Sequence, residues 1–322
     1  MNHGMESLIQ RMYEKPYMLE MGKGNLSKWF RLTKGEVQRA KLIVRNKIKY
    51  GVDYNPSNHV NPSMPKILVF DLEISPLRAY VWGRWKQNVS LSQTISEWFI
   101  LSWSAKWLFS TETMSDVLTP GEVADEDDER IVKSLWKLID EADIIIAHNS
   151  KGFDVGKMNS RFILNGLNPP TPYKVIDTME IAKREFGFSS NKLDALAGYF
   201  GLDSKLSTGF ELWSKCMKGD IEALSYMEKY NRYDVELLEE VYIRLRPWMR
   251  SHPNIGIYIQ DDVPVCSVCG SKHIQEIPDK FYFTQTTKYP IYRCDDCNGL
   301  TRGRRTILDK NVSKSLGTSI PR

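Results

Sequence analysis

The sequence lacks any uncharged apolar run of the roughly 18 residues that a membrane-spanning helix requires. Its first residues, MNHGMESLIQ, also lack the apolar core of a signal peptide. Both absences favour a cytoplasmic protein. Cysteine is scarce, with five in 322 residues. Four of these form two C-x-x-C pairs, which in a cytoplasmic chain favours a metal site over disulfides, whereas Cys216 stands apart and reads as a small structural residue.

An excess of either charge sign is also missing, since the net charge is only +4. The charge is nevertheless uneven along the chain. Residues 1–60 carry 11 Lys/Arg against 5 Asp/Glu, the residues after Asn298 carry 6 against 1, and the segment between them is net acidic. Basic flanks around an acidic middle suit a metal-dependent enzyme that holds a polyanion at its edges. Solvated basic tails are the alternative interpretation.

The length of the chain, its composition and its hydrophobic pattern predict several structural regions rather than one domain with a single core. They are a helical segment with its linker over 1–60, an α/β domain over 66–248, a cysteine-containing module over 257–307 and a flexible tail over 308–322. In the α/β domain, three β-like runs over 66–73, 78–85 and 97–108 precede an alternation of strands and helices. This order predicts a mixed α/β sheet with helices on both faces.

Several acidic residues stand at the ends of apolar elements. Asp71 and Glu73 end the first predicted strand and, being two residues apart, face the same side of it. Asp154 follows the strand predicted over 142–149, and Asp234 lies in a long predicted helix. Adjacent carboxylates repel each other unless a cation lies between them, and they are the ligands that Mg²⁺ prefers. Such acids would support two-metal phosphodiester hydrolysis if the fold brings them together.

These acids lie in motifs that resemble the three motifs of DEDDy-type 3′–5′ exonucleases. The motifs are FDLE over 70–73, N-x-x-x-F-D over 149–154 and Y-x-x-x-D over 230–234. The resemblance covers about residues 66–247 and implies a ribonuclease H-like fold, as in the proofreading domains of family B DNA polymerases. Relatives with a catalytic histidine place it five residues before the last Asp. This chain has Lys229 there, which favours the tyrosine type.

The resemblance implies two catalytic Mg²⁺ or Mn²⁺ ions. Asp71, Glu73 and Asp234 would hold the ion that activates the attacking water. Asp71 would also touch the second ion, which Asp154 would support directly or through water. Tyr230 would orient the water by its hydroxyl, unless it is a helix aromatic packed in the core.

Other residues in and near the motifs have expected roles outside metal binding. Asn149 and Phe153 would shape the site around the terminal nucleotide, or they are a turn asparagine and a core phenylalanine. Asp177 is predicted to cap a helix that starts at Thr178. His148 lies beside the second motif, at a position that is not a ligand in the resembling proteins.

The cysteine pairs predict one structural Zn²⁺ ion. Cys266 and Cys269 lie in CSVCG, and Cys294 and Cys297 lie in YRCDDCNG, with a predicted β-hairpin between the pairs. Four thiolates around Zn²⁺ make a closed site that such a small module needs to fold. Disulfides or a redox pair are the alternatives. The basic run LTRGRRT would let this zinc ribbon contact nucleic acid, although a protein-contact module is the other interpretation.

The N-terminal segment suggests two short helices with a turn. Thr33 and Glu36 form a T-x-x-E capping box that marks a helix start. The predicted inward-facing residues are Val37, Ala40, Val44 and Ile48. This pattern favours either a helix-turn-helix that reads DNA or a helical extension that packs on the nuclease or binds a partner.

The leading hypothesis from the sequence is a 3′–5′ exonuclease that acts on single-stranded or frayed DNA 3′ ends, with a replication or repair protein as a possible partner. An RNA-processing exoribonuclease is an alternative, because recognition of the 2′-hydroxyl depends on details of the pocket. A non-catalytic nucleic-acid-binding protein, with the nuclease fold as a scaffold, is the other alternative.

Overall fold

The computed structural model describes residues 3–19, 21–33, 37, 40, 41, 44, 64–150, 152–202, 208–318 and 320. Several predictions from the sequence concern residues outside these ranges. Glu36 of the predicted capping box and Ile48 of the predicted inward face are among them, as is most of the predicted linker.

The centre of the described chain is a five-stranded mixed sheet with the order β5-β4-β1-β6-β7. Its strands, together with a small ribbon formed by β2 and β3, are β1 (Ile67–Ile74), β2 (Arg78–Ala79), β3 (Thr94–Ser96), β4 (Ile100–Trp107), β5 (Met114–Val117), β6 (Ile144–Ala147) and β7 (Lys174–Asp177). β4 runs antiparallel to both β1 and β5, whereas β1, β6 and β7 are mutually parallel neighbours. The predicted mixed sheet is confirmed.

Helices precede the sheet, connect its strands and follow it. They are α1 (His3–Glu14), α2 (Lys23–Phe30), α3 (Pro120–Asp125), α4 (Glu129–Glu141), α5 (Asp154–Leu164), α6 (Thr178–Glu185), α7 (Leu193–Tyr199), α8 (Phe210–Cys216), α9 (Ile221–Leu245), α10 (Gly256–Ile259) and α11 (Lys310–Ser315). The last of these, α11, lies within the segment for which a flexible tail is predicted.

Alternating apolar side chains place a hydrophobic core on each face of the sheet. Along β1, Leu68 and Phe70 enter one core, while Val69 enters the other. Successive strand residues point to opposite faces of the sheet. A strand that is covered on both faces therefore has a continuous run of apolar residues in its sequence. The long helix α9 contributes Met227 and Tyr230 to the first core and Val235 to the second. It therefore ties the two cores together beside β1.

The strand predicted over 78–85 is wrong beyond Ala79. β2 contains only Arg78 and Ala79, which pair with β3. The aromatic residues that suggested a buried strand lie on the surface, with Trp82 98% exposed and Trp85 84% exposed. Aromatic content predicts a strand only where another layer covers the side chains. The sequence interpretation also missed β5, α3 and α8, and Cys216 is a buried residue at the end of α8.

The N-terminal helices form a small core of their own. Leu8 and Met12 of α1 and Leu26 of α2 are fully buried there. The residues of the predicted inward face that the structure describes, Val37, Ala40 and Val44, are fully buried in the same cluster. The inward orientation is confirmed for these three residues, and the helix-turn-helix remains a prediction.

A buried ion pair connects α4 to α5. Asp128 is fully buried, and its carboxylate accepts hydrogen bonds from Arg161 Nε at 2.7 Å and Arg161 Nη2 at 2.6 Å. It also accepts the backbone N–H of Ile100 at 2.9 Å. Removing one partner of such a pair leaves the other charge buried without compensation.

We therefore expect Asp128→Ala to lower the free energy of unfolding by about 3–5 kcal/mol. Urea denaturation followed by tryptophan fluorescence measures the change. The neighbouring exposed variant Glu129→Gln should stay within about 0.5 kcal/mol of the parent. Equal denaturation midpoints for Asp128→Ala and the parent protein would show that the buried ion pair between Asp128 and Arg161 does not stabilise the fold.

The C-terminal module is a three-stranded antiparallel sheet of β8 (Ile274–Phe283), β9 (Lys288–Cys294) and β10 (Leu300–Arg302). β8 and β9 form the hairpin predicted between the cysteine pairs. Ile255 anchors the module to the central domain, because its side chain lies in the second core and its N–H donates to Ser267 O at 2.9 Å.

Candidate metal-binding active site

The candidate site lies where β1 and β6 end. The two strands are parallel, so their carboxyl ends meet at the same edge of the sheet. Asp71 and Glu73 lie on the face that also carries Val69, and α9 packs across this face through Val235. Helix α9 carries Asp234 next to Val235, so all three carboxylates reach one place.

The three carboxylates converge closely. One carboxylate oxygen each from Asp71, Glu73 and Asp234 lies within 4.8 Å of the others. Asp234 is only 3% exposed, whereas Asp71 and Glu73 are partly buried. Three negative groups at this separation repel strongly unless a cation or protons lie between them. Their donor atoms are hard oxygens, so the cluster fits Mg²⁺ or Mn²⁺.

Asn231 holds one of these carboxylates, and the sequence interpretation missed it. Its Nδ2 donates to Asp71 Oδ2 at 2.7 Å, and its Oδ1 accepts from Ser102 Oγ at 3.4 Å. Asn231 is fully buried. A signal was present, because Asn231 lies three residues before Asp234 and so shares its side of the helix. The structure thus shows a contact that positions the Asp71 carboxylate within the cluster.

Asp154 enters the same region from the first turn of α5 and is 2% exposed. Burial, with the charge of Asp177 adding to it, raises the pKa of Asp154 to about 7. A hydrogen bond from the backbone of Leu72 acts in the opposite direction and brings Asp154 against the end of β1. The close three-carboxylate group among the described residues does not include Asp154.

A cleft of ≈ 670 Å³ joins all the predicted catalytic and substrate-binding residues. They line it together: Asp71, Glu73, Asn149, Phe153, Asp154, Tyr230 and Asp234. Tyr230 is only 4% exposed and packs edge-on against Trp213, with ring centroids 6.4 Å apart. Tyr230 is therefore a core aromatic and a cleft residue at once.

The turn between β6 and α5 shapes one wall of the cleft. Asn149 adopts a left-handed φ of 68°, and its N–H donates to Asp177 Oδ1 at 3.0 Å. The carboxylate of Asp177 also accepts the N–H groups of Met179 and Glu180, which confirms it as the N-cap of α6. Asn149 is thus a turn residue, as in the second interpretation of it, and it also faces the cleft.

The structure also places residues in the cleft that the sequence analysis did not predict there. Lys192 and Asp194 line it from the start of α7. His148 also lines the cleft, but its Nδ1 lies 2.8 Å from Thr178 Oγ1 and its Nε2 lies 2.9 Å from Asn191 O. Both ring nitrogens of His148 are therefore engaged within the wall.

A protein-family match covers most of the central domain. Residues 110–246 match the family described as the RNase_H superfamily. The central domain is ribonuclease H-like. The family B DNA polymerase from the hyperthermophilic archaeon Pyrobaculum calidifontis is a similar solved structure, with 15% sequence identity and a TM-score of 0.41. The similarity covers 71% of this chain and 33% of that one, so the chain spans about a third of the polymerase. No curated protein matches the sequence.

The ribonuclease H-like fold supports a nuclease-type activity on nucleic acid. The acid cluster at the end of β1 offers hard oxygen donors that could hold a divalent cation. Within the described part of the chain, no helix is both long and apolar enough to cross a membrane.

A second candidate metal centre lies outside the ribonuclease H-like domain. The Sγ atoms of its four cysteines, Cys266, Cys269, Cys294 and Cys297, lie within 4.8 Å of one another. Cys266 and Cys297 are 3.6 Å apart, as are Cys269 and Cys294. Thiolates at about 2.3 Å from a tetrahedral Zn²⁺ lie about 3.8 Å apart, whereas disulfide sulfurs lie about 2.05 Å apart. The arrangement fits zinc and is not a set of disulfides.

Backbone N–H groups donate hydrogen bonds to two of the four sulfurs in this centre. Val268 N–H donates to Cys266 Sγ and Gly299 N–H donates to Cys297 Sγ, each at 3.4 Å. Hydrogen bonding, first from Cys269 and then from Cys297, holds the pKa of the Cys266 thiol below its usual range, while the contacts with Cys266 raise the pKa values of the Cys269 and Cys297 thiols. Gly270 closes the first turn at a φ of +77°, where a Cβ would lie 2.4 Å from Ile259 Cδ1. Any other residue at this position would displace the Ile259 side chain and strain the backbone.

Proposed function

We propose that this protein is a metal-dependent 3′–5′ exonuclease of the DEDDy type that hydrolyses phosphodiester bonds at single-stranded or frayed DNA 3′ ends. The observation that carries the proposal is the convergence of Asp71, Glu73 and Asp234, with their carboxylate oxygens within 4.8 Å, in a cleft that Asp154 and Tyr230 also line. A carboxylate cluster in a cleft is the arrangement that metal-dependent phosphoryl chemistry requires.

Each acid has a proposed role. Asp71, Glu73 and Asp234 would hold one divalent cation. Asp71 would also touch a second, which Asp154 would support directly or through water. When bound, Mg²⁺ or Mn²⁺ ions lower the pKa of a water and stabilise the leaving oxygen. The raised pKa of Asp154 means that this carboxyl carries a proton for much of the time at neutral pH in the metal-free protein. Cation binding would therefore release that proton.

The remaining cleft residues would position the reactants. The Tyr230 hydroxyl would orient the attacking water, and its packing against Trp213 fixes the ring. Asn149 and Phe153 would contact the terminal nucleotide from the turn between β6 and α5. Attack on the phosphorus with departure of the 3′-oxygen of the preceding nucleotide releases a 5′-monophosphate and leaves a shortened strand.

The zinc ribbon would add a second contact to nucleic acid. Its sheet carries cations stacked on aromatic rings: Arg302 lies 4.5 Å from the ring centroid of Tyr289, and Lys288 lies 3.6 Å from that of Phe281. Such a face suits phosphates and bases together. A cytoplasmic location and a replication or repair partner remain predictions.

The proposal is tested with purified protein, Mg²⁺ or Mn²⁺, and a 5′-labelled single strand supplied as DNA and as RNA of matched sequence. A ladder that shortens from the 3′ end supports the exonuclease, and the faster substrate decides between DNA and RNA. A strand with a blocked 3′ end serves as the control, because it should persist. If neither the unblocked DNA nor the unblocked RNA is degraded, the exonuclease proposal is wrong, and a protein that binds nucleic acid without cleaving it becomes the better hypothesis.

Asn231 provides a separate prediction for this reaction. We expect Asn231→Leu to raise the Mg²⁺ concentration for half-maximal activity about 10–100-fold, because Asp71 loses the donor that orients it. Excess Mg²⁺ should restore most of the rate. Titration of Mn²⁺ into the protein by calorimetry checks the affinity directly. An unchanged affinity in a variant with the parent's urea midpoint would show that the contact does not position the ligand.

A further inference from the structure

The loop that carries β2 and β3 is chemically unlike the rest of the domain. Residues 76–96 contain three basic residues, Arg78, Arg84 and Lys86, and no Asp or Glu. The same stretch exposes large aromatic rings, with Tyr80 76%, Trp82 98% and Trp85 84% exposed. This segment, called here the aromatic ribbon, has no catalytic or metal role in the proposed function.

The base of the aromatic ribbon is well tied to the domain. Ser75 N–H donates to Phe99 O at 2.8 Å, and Phe99 N–H donates to Ser75 Oγ at 2.9 Å. Arg78 Nε donates to Ser96 Oγ at 2.7 Å, and Arg78 also pairs with Glu126. The exposed rings thus stand on an anchored element. Apolar rings left in water on such an element indicate an interaction surface.

The other two basic residues of the ribbon, Arg84 and Lys86, lie in the loop between β2 and β3. Within the described part of the chain, neither Arg84 nor Lys86 forms an ion pair, and both lie beside the exposed tryptophans in the run WGRWK. A segment with free cations and no acid is complementary to a polyanion. Alternating cations and flat rings also suit bases and phosphates of a single strand better than a protein surface.

The chain connects this ribbon directly to the catalytic edge. Its first residue, Pro76, follows Glu73 by only three positions, and Trp213 of α8 donates its Nε1 to Ile74 O at 3.1 Å between them. The ribbon therefore begins at the rim of the acid cluster. When the 3′ end of a nucleic-acid strand occupies the cleft, its other nucleotides lie outside the cleft. The ribbon is then in a position to bind them.

We propose that the aromatic ribbon binds single-stranded nucleic acid upstream of the 3′ terminus, with bases stacked on Trp82 and Trp85 and phosphates paired to Arg84 and Lys86. This inference rests on the proposed exonuclease for the direction in which the strand lies. Stacking tolerates every base, so the ribbon holds the strand without reading its sequence and keeps the shortened end near the cleft after each cleavage.

The test compares the parent protein with the double variant Trp82→Ala/Trp85→Ala. Binding of a fluorescein-labelled oligothymidylate is measured by anisotropy in EDTA, where hydrolysis does not interfere. We expect the Kd of the double variant to rise at least about 10-fold, since stacking of each base contributes about 1–3 kcal/mol. Trp248→Ala is the matched control, because Trp248 is 63% exposed but lies in the short turn that follows the C-terminal end of α9. Its Kd should equal that of the parent.

Hydrolysis kinetics separate the ribbon from the catalytic site. With Mg²⁺, the double variant should show a raised KM for the long strand and the parent's kcat/KM for a dinucleotide, which fills the cleft alone. An unchanged Kd and KM for the long strand would overturn the inference, and loss of self-association in the same variant would reassign the ribbon to contacts between copies. Binding that depends on the tryptophans, without hydrolysis by the parent, would instead overturn only the exonuclease proposal.

Discussion

Asp71→Asn is expected to lower the rate of metal-dependent 3′ hydrolysis by about 10³-fold or more, because each metal-bound carboxylate contributes several kcal/mol to the transition state. The change removes a negative charge and preserves the shape of the side chain. An amide oxygen at this position still accepts from Asn231 Nδ2, so the contact with α9 is retained. The measurement is the initial rate of shortening of a 5′-labelled single strand at saturating Mg²⁺.

The matched control for this experiment is Asp125→Asn. Asp125 is an exposed residue at the end of α3, and the same carboxylate-to-amide change there should leave the rate unaltered. Anisotropy in EDTA should also show that Asp71→Asn still binds the strand. If this variant, purified free of other nucleases, retained the parent's rate, then Asp71 would have no part in catalysis.

The second large effect concerns the cysteine cluster. Cys294→Ser should abolish stoichiometric zinc binding and unfold the module of β8, β9 and β10. Zinc binding to such sites contributes about 10–16 kcal/mol, which far exceeds what a small module gains from its own core. The described apolar core of the module consists mainly of the four cysteines with Val268 and Ile274. Metal content by plasma emission spectroscopy and hydrogen exchange of the hairpin amides measure the two consequences.

Cys216→Ala is the control, since Cys216 is buried in the first core and lies outside the cysteine cluster. It should retain one zinc per chain. The hairpin amides of the parent should lose protection when a strong chelator is added, whereas those of β1 and β6 should keep it. A protein that carries no zinc after purification with zinc present, yet protects its hairpin fully, would contradict the structural role.

The candidate site was predictable because its members lie in short motifs on regular elements. The spacing of Asp71 and Glu73 puts both on one side of β1, and the spacing of Tyr230 and Asp234 puts both on one face of α9. The cap formed by Asp177 was predictable for the same reason, since capping is a local interaction of a side chain with the next turn. The cysteine pairs similarly predict their own cluster, because each C-x-x-C turn brings two thiols together.

The sequence by itself thus determined the candidate site residues and the mixed sheet beside which they lie, because strand and helix periodicities are local properties of the chain. Only the tertiary structure decided that the acids meet within 4.8 Å, since β1 and α9 are about 160 residues apart in sequence, as Asp71 and Asn231 show. It also decided that Trp82 and Trp85 face solvent. Burial depends on what packs against a side chain, and no local pattern specifies a neighbour that is distant along the chain.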